Sequence, residues 1–63
     1  MNSLKLREQL YKLGRENSRL TWEQVEGIVA AILGVYMIRG RDYDAEQAIG
    51  SMERFNRTGV LTF

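Results

Sequence analysis

The sequence predicts an all-α protein: a small domain of three helices, assembled as an intertwined or side-by-side homodimeric helical bundle. Three observations lead there. Apolar residues recur at helical spacing in three consecutive runs. The second and third runs each open on a capping-box sequence. The middle run is apolar nearly all round, and a helix of that kind has to be surrounded by other elements. Two more short helices of one 63-residue chain scarcely suffice for that, whereas copies from a second chain would. Size argues the same way, because a domain of about 60 residues buries only about 60% of the surface its unfolded chain exposes. The usual reinforcements are disulfides, a structural metal or a partner subunit. With no cysteine and no histidine, disulfides and Cys/His zinc sites are excluded. Self-association is what remains.

The first helix is expected over about residues 3–20, with Ser3 as its N-cap. Leu6, Leu13 and Leu20 repeat every seven residues, and Ser3, Leu10 and Asn17 fill the second position of a coiled-coil-like seam. Gly14 interrupts it at a cost of about 1 kcal/mol relative to alanine, so the helix bends or stops there. Asn17 is open to two readings: a register-setting polar pair across a dimer, or a surface asparagine near a frayed helix end.

The second helix is expected over about residues 22–38. Thr21 and Gln24 form the capping box, Leu20 and Val25 the hydrophobic staple, and Glu23 sits where the helix dipole favours an anion. Val25, Ile28, Val29, Ile32, Val35 and Tyr36 follow helical spacing, and Leu33, Met37 and Ile38 extend the apolar surface round the helix. Gly27, Ala31 and Gly34 lie on one strip, where small residues permit close approach of another helix, within the chain or between chains. Gly40 is the expected left-handed residue that ends the helix.

The third helix, about residues 45–57, opens on a second capping box, Asp44 with Gln47. Ala45, Ala48, Ile49, Met52 and Phe55 make its apolar face. Thr58-Gly59 ends it, and the apolar tail 60–63 is expected to pack on a neighbouring helix, in the same subunit or the other. The expected core comprises Leu6, Leu10, Leu13, Val25, Ile28, Val29, Ile32, Leu33, Tyr36, Ile49, Met52 and Phe55. The residues assigned to the core or dimer interface are Leu6, Leu10, Leu13, Gly27, Ile28, Ala31, Ile32, Gly34 and Tyr36.

Composition narrows the chemistry. A formal net charge of +1 with 27% charged residues sets up no strong field. Without Cys or His the usual nucleophile–base dyads are missing, and no Gly-rich phosphate loop is present, so an enzyme is not expected. Asp42, Asp44, Glu46 and Glu53 match positions 1, 3, 5 and 12 of an EF-hand loop, but Gln47 stands where that loop needs glycine. Helix capping explains these acids more simply; no cofactor and no metal are expected. The longest uncharged stretch, Gly27–Ile38, has 12 residues against the roughly 20 that span a bilayer. No membrane contact is expected, and cytoplasm is the default location.

Contacts with a partner or with nucleic acid fall to Trp22, Lys12, Arg15, Arg19, Arg39 and Arg41. Trp22 and Tyr43 adjoin caps and either close the ends of the core or stand partly exposed at an interface, where aromatic residues and Arg are enriched. Lys5, Lys12, Arg15 and Arg19 form a basic strip for phosphates, or simply a solvated face interspersed with Arg7, Glu8 and Glu16. The second and third helices with the Arg39-Gly40-Arg41 turn outline a helix-turn-helix, but the third helix begins acidic where a recognition helix should be basic.

In its length and its opening run, MNSLKLREQLYKLGRENSRLTW, the chain resembles the small early proteins of lambdoid bacteriophages encoded between the recombination and excision genes. The resemblance implies a protein made early after infection or induction that disturbs host replication and cell cycle and favours lytic growth. It implies action by contact with a host or phage protein, in the host cytoplasm, and no catalytic residues. The expected function is thus a non-enzymatic regulatory accessory acting through protein–protein interaction; the alternative is a small dimeric DNA-binding regulator using the basic face of the first helix or the Arg39–Arg41 turn.

Overall fold

A computed structural model of the chain describes residues 3–63. Its order is α1 (Ser3–Arg15), α2 (Trp22–Arg39), a short 3-10 turn (Gly40–Asp42) and α3 (Ala45–Thr58). Each helix packs on the other two. The start of α2 lies on the end of α1, and the ends of α1 and α3 lie together, which makes an up-down-up bundle of 31 × 21 × 15 Å.

α1 begins at Ser3, so Ser3 is a helical residue rather than the cap before it, and the position preceding it lies outside the described residues. The helix ends at Arg15 instead of continuing to residue 20. Its last turn tightens: Glu16 N–H is shared between the carbonyls of Lys12 and Leu13, and Asn17 N–H donates to Gly14 O at 3.1 Å. The cause is Gly14, which is buried against α2. A Cβ there would sit 2.7 Å from Val25 Cγ1, so the missing side chain is what lets the two helices meet. The leucine seam faces inward within one chain. Leu6 and Leu10 are buried, and Leu13 and Leu20 are partly buried against the same core.

Both capping boxes form. Gln24 N–H donates to Thr21 Oγ1 at 3.2 Å and Thr21 N–H to Gln24 Oε1 at 2.8 Å. Gln47 N–H donates to Asp44 Oδ1 at 2.9 Å and Asp44 N–H to Gln47 Oε1 at 3.0 Å. Asp44 is thereby spent on helix initiation. Gly40 has the expected positive φ of 61°, but its ψ of −111° is far from the left-handed helix. The chain does not leave α2 there; it enters the 3-10 turn, with Tyr43 N–H on Gly40 O. α3 closes with Gly59 N–H on Phe55 O at 2.8 Å.

The core holds Leu6, Leu10, Val25, Val29, Ile32, Tyr43, Ala48 and Met52, together with the polar Ser51. Six of the expected core residues are only partly buried: Leu13, Ile28, Leu33, Tyr36, Ile49 and Phe55. Tyr43 is the main addition. It is 2% exposed, and its hydroxyl donates to Ser51 Oγ inside the bundle. Phe63 meets its ring edge-on at 6.2 Å, and the Arg39 guanidinium lies 5.7 Å from its centroid. The tail therefore packs within its own chain: Leu61 is partly buried, and Thr62 Oγ1 accepts from Arg54 Nε at 3.2 Å. No buried side-chain nitrogen or oxygen among the described residues lacks a partner. No described helix is long and apolar enough to cross a membrane.

Two stability predictions follow from this packing. Gly14→Ala should destabilise by about 1–2 kcal/mol in urea unfolding, since overpacking against the stiff, buried Val25 outweighs the gain in helix propensity. Val25→Ala should remove most of that penalty in the double variant. Tyr43→Phe should cost about 1 kcal/mol, and Tyr43→Phe with Ser51→Ala less than the sum of the singles, because each single already breaks the one Tyr43–Ser51 bond. Additive effects in either pair would contradict the contacts described.

Candidate functional site

The most chemically loaded surface lies where α2 folds back over the end of α1. Arg7, Tyr11 and Arg15 are spaced four apart on α1 and so share one face. The turn after Arg15 brings Trp22, the first residue of α2, down onto that face. The rings of Tyr11 and Trp22 stack with centroids 5.3 Å apart and planes 26° from parallel. Arg7 caps the Tyr11 ring at 5.5 Å and Arg15 the Trp22 ring at 5.3 Å. Trp22 remains 51% exposed. Glu8, Lys12 and Glu26 complete the rim of an open groove of about 490 Å³.

This arrangement sets an aromatic pair and its flanking guanidinium groups at the surface. Two flat rings are held by their neighbours, and cation–π contacts of this kind contribute about 0.5–1 kcal/mol each at exposed sites. Three cations face two carboxylates around the rings. Among the described residues no group of three or more His, Cys, Asp or Glu is placed to hold a metal ion.

The expected basic strip is divided. Lys12 and Arg15 belong to the groove, but Arg19 turns to the other side of the turn. Its guanidinium donates to Asn56 O at 3.0 Å, and its N–H and Nε reach Asn17 Oδ1. Asn17 donates in turn to Asn56 Oδ1 at 3.0 Å, and Asn56 donates to Leu13 O at 2.9 Å. Asn17 is thus paired within its own chain, past the end of α1. Arg39 and Arg41 are exposed at the far end of α2, with Arg39 over Tyr43.

Leu6, Leu10 and Ile32 are core residues of the single chain. Leu13, Ile28 and Tyr36 are partly buried. Gly27 and Ala31 are exposed and Gly34 partly buried, and a Cβ added at Gly27 or Gly34 would meet nothing within 4 Å. Among the described residues no other helix comes within 4 Å of a Cβ placed at either glycine. Tyr11 and Arg7 lie off the leucine seam; the sequence placed Arg7 on a solvated face and gave Tyr11 no role. Their four-residue spacing with Arg15 was a readable signal; their meeting with Trp22 required knowing that α1 stops at Arg15.

Asn56→Ala should lower stability by about 1 kcal/mol, since the Leu13 carbonyl loses one of its two donors and the Asn17 amide loses its acceptor. Asn56 bonds Leu13, Asn17 and Arg19 and not the stacked rings, so Trp22 fluorescence in the folded protein should be unchanged; an altered folded-state spectrum would show the two regions to be coupled. Comparison with protein-family models, curated proteins and solved structures finds no match to this chain.

Proposed function

We propose that the protein is a non-catalytic regulatory accessory that works as a homodimer and docks on a partner protein through the Tyr11–Trp22 groove. The observation that carries this reading is a half-exposed tryptophan, stacked on tyrosine and flanked by two guanidinium groups. Trp, Tyr and Arg are the residues that dominate binding energy at protein interfaces, and here they are held in place before any partner arrives. The resemblance to small early lambdoid phage proteins supplies the setting: contact with a host or phage factor in the host cytoplasm, interfering with host replication or cell cycle and promoting lytic development. The same resemblance carries no catalytic residue.

The DNA-binding alternative has less support. Arg19 is engaged with Asn17 and Asn56, and α3 opens with Asp44 and Glu46 at the end that a recognition helix presents to the groove.

Expression of the wild-type chain in the host should delay replication or division, and Trp22→Ala and Arg15→Glu should each abolish that delay while leaving helicity intact. A partner recovered with the wild-type protein should bind both variants at least tenfold more weakly, since a central aromatic or Arg anchor contributes about 2 kcal/mol or more. Full activity in both variants would overturn the groove as the docking surface. Retardation of duplex DNA that weakens steeply with salt and is lost in Lys12→Glu/Arg15→Glu would favour the alternative.

A further inference from the structure

The charges around the Trp22 groove are unspent. Arg7, Lys12 and Arg15 are exposed, and among the described residues none of them donates a side-chain hydrogen bond or meets a carboxylate within 4 Å. Arg7 and Arg15 lie instead over the Tyr11 and Trp22 rings, 5.5 and 5.3 Å from the centroids. An arginine beside a ring keeps the planar fork of N–H donors that grips a carboxylate, and it gives up its water more readily than lysine does. Two ready carboxylate sites thus flank a half-exposed tryptophan.

We infer that the groove takes an acidic amphipathic helix of the partner protein, with carboxylates at i and i+7 on Arg7 and Arg15 and apolar side chains at i+3 and i+4 against Trp22. The inference rests on the groove as the docking surface and names the chemistry that fills it. Spacing selects the helix. Arg7 and Arg15 are eight residues apart on α1, about 12 Å, with Tyr11 midway. Acids seven residues apart on a helix are separated by about 10.5 Å, within reach of two long arginine side chains, and i+3 and i+4 fall between them on the same face. Charge selects a protein segment over a nucleic acid. The α1 wall sets three cations against one acid, Glu8, while the α2 wall carries Glu26. A phosphate backbone, charged at every nucleotide, would run against both carboxylates. A helix places its acids at the two arginines alone and leaves nothing anionic opposite Glu26.

Trp22 is the only tryptophan of the chain, so its fluorescence reports the groove directly. The probes are a synthetic helical peptide free of Trp and Tyr, with Glu at i and i+7 and Leu at i+3 and i+4; the same peptide with Lys in place of both Glu; and an oligodeoxythymidylate of similar length. At low salt the Glu peptide should change Trp22 fluorescence saturably and bind at least tenfold more tightly than either of the others. Arg7→Glu/Arg15→Glu should reverse the preference in favour of the Lys peptide, and Glu26→Lys should tighten the Glu peptide, each with helicity unchanged. A wild-type preference for the Lys peptide or the oligonucleotide, an equal response to both peptides, or no response to the Glu peptide overturns the acidic helix. The docking surface itself is judged separately, by the delay in the host. If Trp22→Ala abolishes that delay while the Glu peptide fails, the groove stands with an occupant of other chemistry; if the delay survives Trp22→Ala, both readings fall.

Discussion

The meeting of Gly14 with Val25 governs the architecture. A methyl group on Gly14 would fall inside the van der Waals radius of a buried, β-branched side chain, so α1 and α2 approach at that point only because the group is missing. The same glycine lies at the end of α1 and turns the chain back early. Trp22 then lands beside Tyr11 and Arg15, Leu6 and Leu10 face α2 and α3, and Asn17 is released from the helix to bond Asn56. Had α1 run on to Leu20, none of these neighbours would exist.

Polar contacts then fasten the two ends of the bundle. At one end Asn17, Arg19 and Asn56 tie the α1–α2 turn to the last turns of α3. At the other, the Tyr43 hydroxyl reaches Ser51 inside the core, under the Phe63 ring and beside Arg39. A buried hydrogen bond contributes only about 1 kcal/mol net, but a buried group left unpaired costs more, so such contacts discriminate strongly against other packings. They matter in a chain of this size, in which the apolar core counts eight of the described residues.

The surfaces that remain differ in kind. The groove beside Trp22 is aromatic and charged. The outer side of α2 is small and apolar, with Met37 and Ile38 exposed at its end. Both surfaces draw on α2, Trp22 at its first residue and the bare side along its length.

Capping and periodicity are local, and for that reason they were legible. Thr21 with Gln24 and Asp44 with Gln47 find each other three residues apart, whatever the rest of the chain does. The starts of α2 and α3 and the all-α class follow from them. The end of α1 was half legible: Gly14 marks a weak point, but only its contact with Val25, eleven positions on, decides between a bend and a stop. Tyr43 as core, Arg19 as a structural donor and the Tyr11–Trp22 stack were not legible, because each depends on residues brought together by the up-down-up path. The sequence determined that α2 carries more apolar surface than one small chain can cover. Which side is left bare was decided by tertiary packing, since a helix apolar all round has no intrinsic inward face and only the position of its neighbours gives it one.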